Sequence, residues 1–311
     1  MWLYLLFVII GVILVLWGAD RLTDGAVALA ERMNIPQIVI GLTIVAMGTS
    51  APELCVSLVS ALRGTADLAV GNVVGSNIFN SMLIVGVAAM VAPMSVLPTT
   101  VRKDIPFACL ASFLLMLMIM MGGDVTRLEA AILFAIFLVF MFVTLRGAKG
   151  SHVDEPSAPK NFTVGKSVFL LVLGMTCLIV GSNVFVDGAT NIATELGVSE
   201  AVVGLTIVAG GTSLPELATS VVSARKGQSG IAIGNVLGSN VFNILMILGL
   251  TGIIAPMDVQ GITLIDLSMM AVSMLLLWIF SYTKYTIARW EGAVLTIIFV
   301  GYLSWLVMSV V

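Results

Sequence analysis

Slid along itself by 163 residues, the chain matches itself without gaps. Residues 41–94 overlay 204–257, and 31 of those 54 positions are identical. Gly41-Leu42-Thr43-Ile44-Val45-Ala46 recurs as Gly204-Leu205-Thr206-Ile207-Val208-Ala209, and Ala92-Pro93-Met94 recurs as Ala255-Pro256-Met257. The same offset pairs Gly18 with Gly181 and Asp24-Gly25 with Asp187-Gly188, so the repeat begins inside the first apolar stretch of each copy. A period of half the chain excludes a solenoid. The sequence describes one structural unit used twice.

What surrounds that unit follows from composition. Of the 311 residues, 59% are hydrophobic and only 10% charged, with a mean hydropathy of +1.15. A soluble domain carries about 25% charged residues, so this chain must turn apolar side chains toward lipid. A bilayer core about 30 Å thick takes about 20 helical residues. Ten apolar stretches of that order are expected near 2–19, 36–61, 68–92, 105–122, 127–145, 166–186, 199–224, 230–255, 261–281 and 290–310. The first has no basic residues before it and no small-residue cleavage site after it, so it reads as a spanning helix and not a signal peptide. Cys55, Cys109 and Cys177 have neither metal nor disulfide spacing and read as buried free thiols. His152, the only histidine, falls in a polar linker and reads as solvated.

Five spans per copy insert the two copies with opposite topology, an inverted repeat whose binding site is expected near the midplane. Charge tests this independently. On a ten-span path, one side receives only Arg63 and Arg127. The other receives Arg21, Arg32, Arg102, Lys103, Arg146, Lys149, Lys160, Lys166, Arg225, Lys226, Lys284 and Arg289. The positive-inside rule makes the second side cytoplasmic, with both termini outside. The expected fold is an all-α integral membrane protein. It has ten transmembrane helices as two inverted five-helix repeats, with breaks in helices 2, 3, 7 and 8. Residues 1–145 form the first repeat, 146–165 a cytoplasmic linker and 166–311 the second repeat.

The chemistry concentrates in two motifs, each present twice. Gly48-Thr49-Ser50-Ala51-Pro52-Glu53 recurs as Gly211-Thr212-Ser213-Leu214-Pro215-Glu216. A carboxylate near the membrane centre costs at least about 2.5–3.5 kcal/mol, which makes it a functional-site candidate. A lone glutamate could be structural; two at symmetric positions point to a site. Pro52 and Pro215 have no N–H, so they release the carbonyls of Gly48 and Gly211 from the helical ladder. Non-helical backbone at this depth survives where it lines a cavity or is buried in protein. Thr49, Ser50, Thr212 and Ser213 add hydroxyls at the break, though each could instead bond its own helix.

The second motif, Gly71-Asn72-Val73-Val74-Gly75-Ser76-Asn77-Ile78-Phe79-Asn80, recurs as Gly234-Asn235-Val236-Leu237-Gly238-Ser239-Asn240-Val241-Phe242-Asn243. Its glycines read mainly as close helix packing. Ser76 and Asn80, like Ser239 and Asn243, are four apart and share a helix face. Carboxylate, carbonyl, hydroxyl and amide oxygens suit hard cations and not zinc or copper. Calcium takes 6–8 such oxygens. Two glutamates carry two negative charges, which one Ca2+ neutralises and three Na+ would exceed by one; such a cycle would couple to membrane voltage.

With both motifs duplicated, the whole chain resembles the sodium/calcium exchanger branch of the calcium/cation antiporter superfamily. The resemblance implies that helices 2, 3, 7 and 8 form the ion-binding core and that helices 1 and 6 slide past it to alternate access. It implies that calcium is held by Glu53, Glu216 and the backbone carbonyls of Thr49 and Thr212. Sodium would be held by the same glutamates with Ser50, Ser213, Ser76 and Ser239, and Asn80 and Asn243 would stand beside them. Several relatives have Asp where this chain has Asn243. An amide cannot ionise, so the site has two carboxylates at most, which disfavours potassium co-transport. The expected partners are Ca2+ and Na+ as transported ions and the lipid bilayer, with no cofactor, no nucleic acid and an open oligomeric state. The expected location is the cell membrane.

A proton/calcium exchanger of the same superfamily remains open, because a buried glutamate pair can titrate. An intramembrane enzyme using the two glutamates is disfavoured by the lack of a metal motif or nucleophile elbow. A channel would not depend on a counter-ion.

Overall fold

The computed structural model describes residues 1–148, 162–198, 200–259 and 261–310. The long helices are α1 (Trp2–Met33), α2 (Gln37–Thr49 and Ala51–Leu62, here α2a and α2b), α3 (Ala66–Val91), α4 (Thr100–Gly122) and α5 (Arg127–Ala148) in the first half. The second half contains α6 (Val164–Glu195), α7 (200–212 as α7a, Leu214–Arg225 as α7b), α8 (Ser229–Ile254), α9 (Leu264–Tyr282) and α10 (Arg289–Val310). Among the described residues, eight helices are long and apolar enough to cross a membrane, and nine when α2a and α2b are taken as one bent span. The remaining expected span is α7, which repeats the order of elements seen in α2: short helix, π turn, short helix, break, helix. The polar linker, His152 included, falls at 149–161, outside the described residues.

α1 and α6 run to Met33 and Glu195, well past the ends expected from hydropathy. Polar residues such as Asp20, Arg21, Asp187 and Asn191 remain helical because nothing there breaks the backbone. A helix of 32 residues is about 48 Å long, more than the hydrocarbon core, so it must tilt or emerge. The two helices pack along their whole length. Gly11 faces Gly181 and Phe185, Gly18 faces Gly174 and Leu178, and Gly25 faces Ser167 and Leu171. Contact positions fall in α6 as they rise in α1, so these repeat mates are antiparallel. Glycines seven apart on both helices (11, 18, 25 and 174, 181, 188) make the seam, and a Cβ at any of them would meet the partner's backbone within 3.0 Å.

The centre belongs to α3 and α8, whose apolar windows are 72% and 78% buried, against 22% for α1, α5 and α10. α2 and α7 pack beside them, and α4, α5, α9 and α10 wall the core. The irregularity expected in helices 3 and 8 takes the form of a π turn, not a gap: Phe79–Ile84 in α3 and Phe242–Ile247 in α8. Gly41–Val45 and Gly204–Val208 make a second symmetric pair of π turns in α2a and α7a. Such turns leave carbonyls poorly paired and recur at functional sites. Two short antiparallel ladders tie the halves at the helix ends: β1 (Met94–Ser95) pairs with β4 (Thr286–Ile287), and β2 (Asp124–Val125) with β3 (Met257–Asp258).

The cysteines correct one expectation. Cys109 is buried, but Cys55 is exposed and Cys177 intermediate. On the outer wall of a spanning helix a thiol can face lipid at little cost, so burial in protein is not needed.

Candidate functional site

Each glutamate stands in the first turn of a half-helix, Glu53 in α2b and Glu216 in α7b. The chain bends by 48° at Ser50, whose φ of −83° and ψ of 10° are non-helical, and Ser213 has nearly the same geometry (−90°, 6°). Ser50-Ala51-Pro52-Glu53 has the spacing of a helix capping box. Neither serine forms the capping bond. Their side chains go instead to the opposite half. Ser50 Oγ donates to Glu216 Oε1 (2.8 Å), and Ser213 Oγ donates to Glu53 Oε1 (3.0 Å). Ser239 Oγ also reaches Glu216 Oε1 (3.4 Å), and Ser213 Oγ lies 3.2 Å from Ser76 Oγ. The tertiary fold has thus crossed two local motifs, so that each carboxylate is held by a hydroxyl from the other repeat. The half-helix N-terminus behind each glutamate adds a favourable dipole.

Of the ten residues singled out from sequence, Glu53, Glu216, Ser50, Ser213, Ser76, Ser239, Asn80, Asn243 and Thr49 are buried, none more than 4% exposed. Thr49 and Thr212 each bond a carbonyl of their own helix, Ala46 and Ala209. Thr49 Oγ1 also donates to Asn235 Oδ1 (3.0 Å). Thr212 is less buried.

Glu53 Oε2, Glu216 Oε2, Asn80 Oδ1 and Asn243 Oδ1 are buried oxygens without a hydrogen-bond partner among the described residues. They form two pairs related by the 163-residue offset, and an unpaired buried acceptor calls for an explanation. All are hard oxygen donors, the kind that coordinates Na+ or Ca2+.

Further residues shape the site that were not among the ten candidates, two of them asparagines of the second motif. Asn72 Nδ2 donates to the Glu53 carbonyl and to Ser57 Oγ; Asn235 Nδ2 does the same with the Glu216 carbonyl and Ser220 Oγ. These amides clamp each glutamate-bearing helix to its neighbour. Ser182 of α6 donates to the carbonyl of Gly211, one of the two that proline was expected to release, so that carbonyl has a protein partner. The matching position in the first half is Ala19, which has no hydroxyl.

The two glycine motifs behave differently. Gly234 and Gly238 of α8 lie against Gly41 and Leu42 of α2, as expected for close packing. Gly75 of α3 has open space beside it. It lines a cleft of about 150 Å³, bounded by Asn72, Ser76 and Phe79 of α3, Ala209 and Gly210 of α7a, and Phe299 and Tyr302 of α10. The cleft reaches Ser76, the neighbour of Ser213, along α3, whereas the matching face of α8 is sealed against α2a; Glu53 and Glu216 themselves stay buried. The sealed end carries a further tie: Lys226, just past α7b, binds Asp20 and Asp24 of α1.

With this geometry in place, the relatives are informative. The family described as sodium/calcium exchanger protein matches residues 3–146 and 166–308. The chain belongs to the sodium/calcium exchanger family. CaxA of Alkalimonas amylolytica is 39% identical over 308 residues, covering 96% of each chain. The sodium/calcium exchanger MaX1 of Methanosarcina acetivorans is 33% identical over 340 residues, covering 96% of this chain and 97% of that one. Among solved structures, the sodium-calcium exchanger NCX_Mj soaked with Na+ and Ca2+ superposes with a TM-score of 0.85 at 29% identity, covering 97% of this exchanger and 98% of that chain. This member of the family is an integral membrane transport protein.

Proposed function

We propose that this exchanger is a secondary active antiporter that moves Na+ against Ca2+ by alternating access, with net charge transferred in each cycle. The supporting observation is the set of four unpartnered buried oxygens on Glu53, Glu216, Asn80 and Asn243. Two carboxylates in a low-dielectric interior demand compensation by cations, and removing that compensation costs several kcal/mol. In this reading Ca2+ sits between the glutamates with Asn80, Asn243 and the carbonyls of Thr49 and Thr212. Na+ ions use the same carboxylates with Ser50, Ser213, Ser76 and Ser239. The serine hydroxyls now donate to the carboxylates; a hydroxyl can rotate and offer a lone pair to a cation instead. Both ions therefore compete for one set of oxygens, which is what couples their movements.

The halves 1–145 and 166–311 are taken as inverted repeats joined by a cytoplasmic linker at 146–165, with both termini outside and the protein in the cell membrane. On that orientation the open cleft along α3 faces outward. The charge asymmetry of the loops and the antiparallel packing of α1 with α6 support it.

The test is Ca2+ uptake into proteoliposomes preloaded with Na+, against K+ or choline. Uptake that requires internal Na+ and rises with an inside-positive potential is the expected result. Uptake indifferent to Na+ but driven by an acid interior would replace this reading with proton/calcium exchange at the same glutamates.

A further inference from the structure

We propose that Asn77 and Asn240, which present no free oxygen to the site, are positioning residues that aim the amide oxygens of Asn243 and Asn80 at the transported cation. The inference rests on the reading that a cation binds beside Glu53 and Glu216.

An asparagine amide has one end that accepts and one that donates, and nothing in its own shape chooses between them. A cation needs the oxygen. Asn80 and Asn243 each have Nδ2 bonded and Oδ1 buried without a partner. What fixes that choice can be traced outward. Asn243 Nδ2 donates to Asn77 Oδ1 (3.0 Å), and Asn77 Nδ2 donates to the backbone carbonyl of Asn240 (3.3 Å). A carbonyl can only accept. Asn77 must therefore turn its NH2 to that carbonyl and its oxygen to Asn243, which must answer with its own NH2.

The second relay ends differently but with the same logic. Asn80 Nδ2 donates to Asn240 Oδ1 (3.1 Å). Asn240 Nδ2 donates to Ser81 Oγ (2.7 Å) and lies 3.2 Å from Met274 Sδ. Ser81 Oγ itself gives its proton to Met274 Sδ (3.0 Å). A thioether cannot donate, so Ser81 is left as acceptor, Asn240 must present NH2, and its oxygen faces Asn80. Asn77 and Asn240 are 0% and 1% exposed, so water does not substitute for these partners. Each chain of bonds runs from an acceptor-only group to a bare oxygen in the site, and each crosses between α3 and α8.

The two relays end in unrelated groups, although the four asparagines are symmetric. Ser81 corresponds to Ile244 in the second half, which has no hydroxyl, so the Ser81–Met274 end of the second relay has no counterpart across the repeat. The repeat has thus arrived at one outcome by two routes.

The experiment is equilibrium Ca2+ binding to the purified full-length protein in Na+-free detergent solution. Asn77→Ala should raise the Kd about tenfold, the weight of one well-directed ligand oxygen. In an Asn243→Ala background the same change should add less than about twofold, because the group it orients is gone. Ser81→Ala with Met274→Leu keeps the core filled, removes the acceptor end of the other relay, and should weaken binding only when Asn80 is present. This second arm decides the matter if Asn77→Ala does not insert. A Kd unmoved in both arms, or a loss that persists undiminished without Asn243 and Asn80, would reduce Asn77 and Asn240 to helix packing and overturn the proposal. Wild-type protein that binds no Ca2+ would overturn the reading beneath it first, and this inference with it.

Discussion

Gly238→Ala against Gly75→Ala gives the sharpest test of how this exchanger opens and closes. The two glycines are repeat mates in the same motif, yet their surroundings differ. An alanine Cβ at 238 would lie 2.6 Å from Ala46 Cβ, 2.6 Å from the Leu42 carbonyl oxygen and 2.7 Å from Leu42 Cα. None of these is the end of a flexible side chain. Carbon contacts settle near 3.5–4.0 Å, so α8 would have to retreat from α2a by about 1 Å. Overpacking of this kind costs roughly 1–3 kcal/mol. A Cβ at 75 meets nothing within 4 Å, so Gly75→Ala is free in this conformation. On the alternating-access reading proposed above, the opposite conformation exchanges the two environments: α3 closes on α7a and α8 parts from α2a. Gly238→Ala should then shift the population toward that opposite state by about 5- to 150-fold, and Gly75→Ala should oppose the shift. A single cysteine at position 206, in the cleft, in an otherwise cysteine-free protein, reports the outcome through its rate of labelling by an impermeant maleimide. Labelling should fall with Gly238→Ala and hold or rise with Gly75→Ala. Equal effects of the same sign would refute the idea that the two glycine seams are alternately closed.

The remaining predictions use the site itself. Glu53→Gln or Glu216→Gln should cut exchange by more than about 100-fold while leaving insertion and fold intact, because an amide keeps the shape but not the charge; normal Ca2+ flux in either variant would remove that residue from the site. Ser182→Ala strips the Gly211 carbonyl of its donor and should lower the melting temperature, at a cost of about 1–3 kcal/mol for a buried acceptor; an unchanged melting temperature would show that this carbonyl finds another partner. Lys226→Met breaks the tie to Asp20 and Asp24 and should raise labelling of a cysteine at 235 from the sealed side; Arg63→Met, at the repeat-related and exposed position, should not.

Much of this protein is legible before any coordinates. The offset of 163 is covalent information, and an odd number of apolar spans per copy leads to the expectation of antiparallel halves; α1 and α6, the first helices of the two copies, do pack antiparallel along their glycine seam. Hydropathy placed the helices but not their ends, since α1 and α6 continue through charged residues to Met33 and Glu195 once they leave the apolar zone. The breaks were readable at Pro52 and Pro215, where a missing N–H is a local fact. The π turns at Gly41, Phe79, Gly204 and Phe242 were not, because an extra residue in a helical turn is paid for by neighbouring helices and leaves no mark in the local pattern.

The same boundary divides the site. Residue type alone marked Glu53 and Glu216, since a carboxylate in an apolar helix is costly wherever it points. Sequence could not say that Ser50 serves Glu216 and Ser213 serves Glu53, because the spacing of each serine equally fits a cap on its own helix. Spacing from Ser76 and Ser239 and the family resemblance singled out Asn80 and Asn243, but sequence could not say that their oxygens are bare while those of Asn77 and Asn240 accept bonds within the network. Identical motifs also gave no hint that Gly238 would be packed and Gly75 open. Covalent sequence fixes which groups are present and at what interval along a helix. Which half supplies the partner, and which of two equal seams is closed, is decided only when α2, α3, α7 and α8 meet and each buried donor and acceptor takes the neighbour that folding has brought within 3 Å or so.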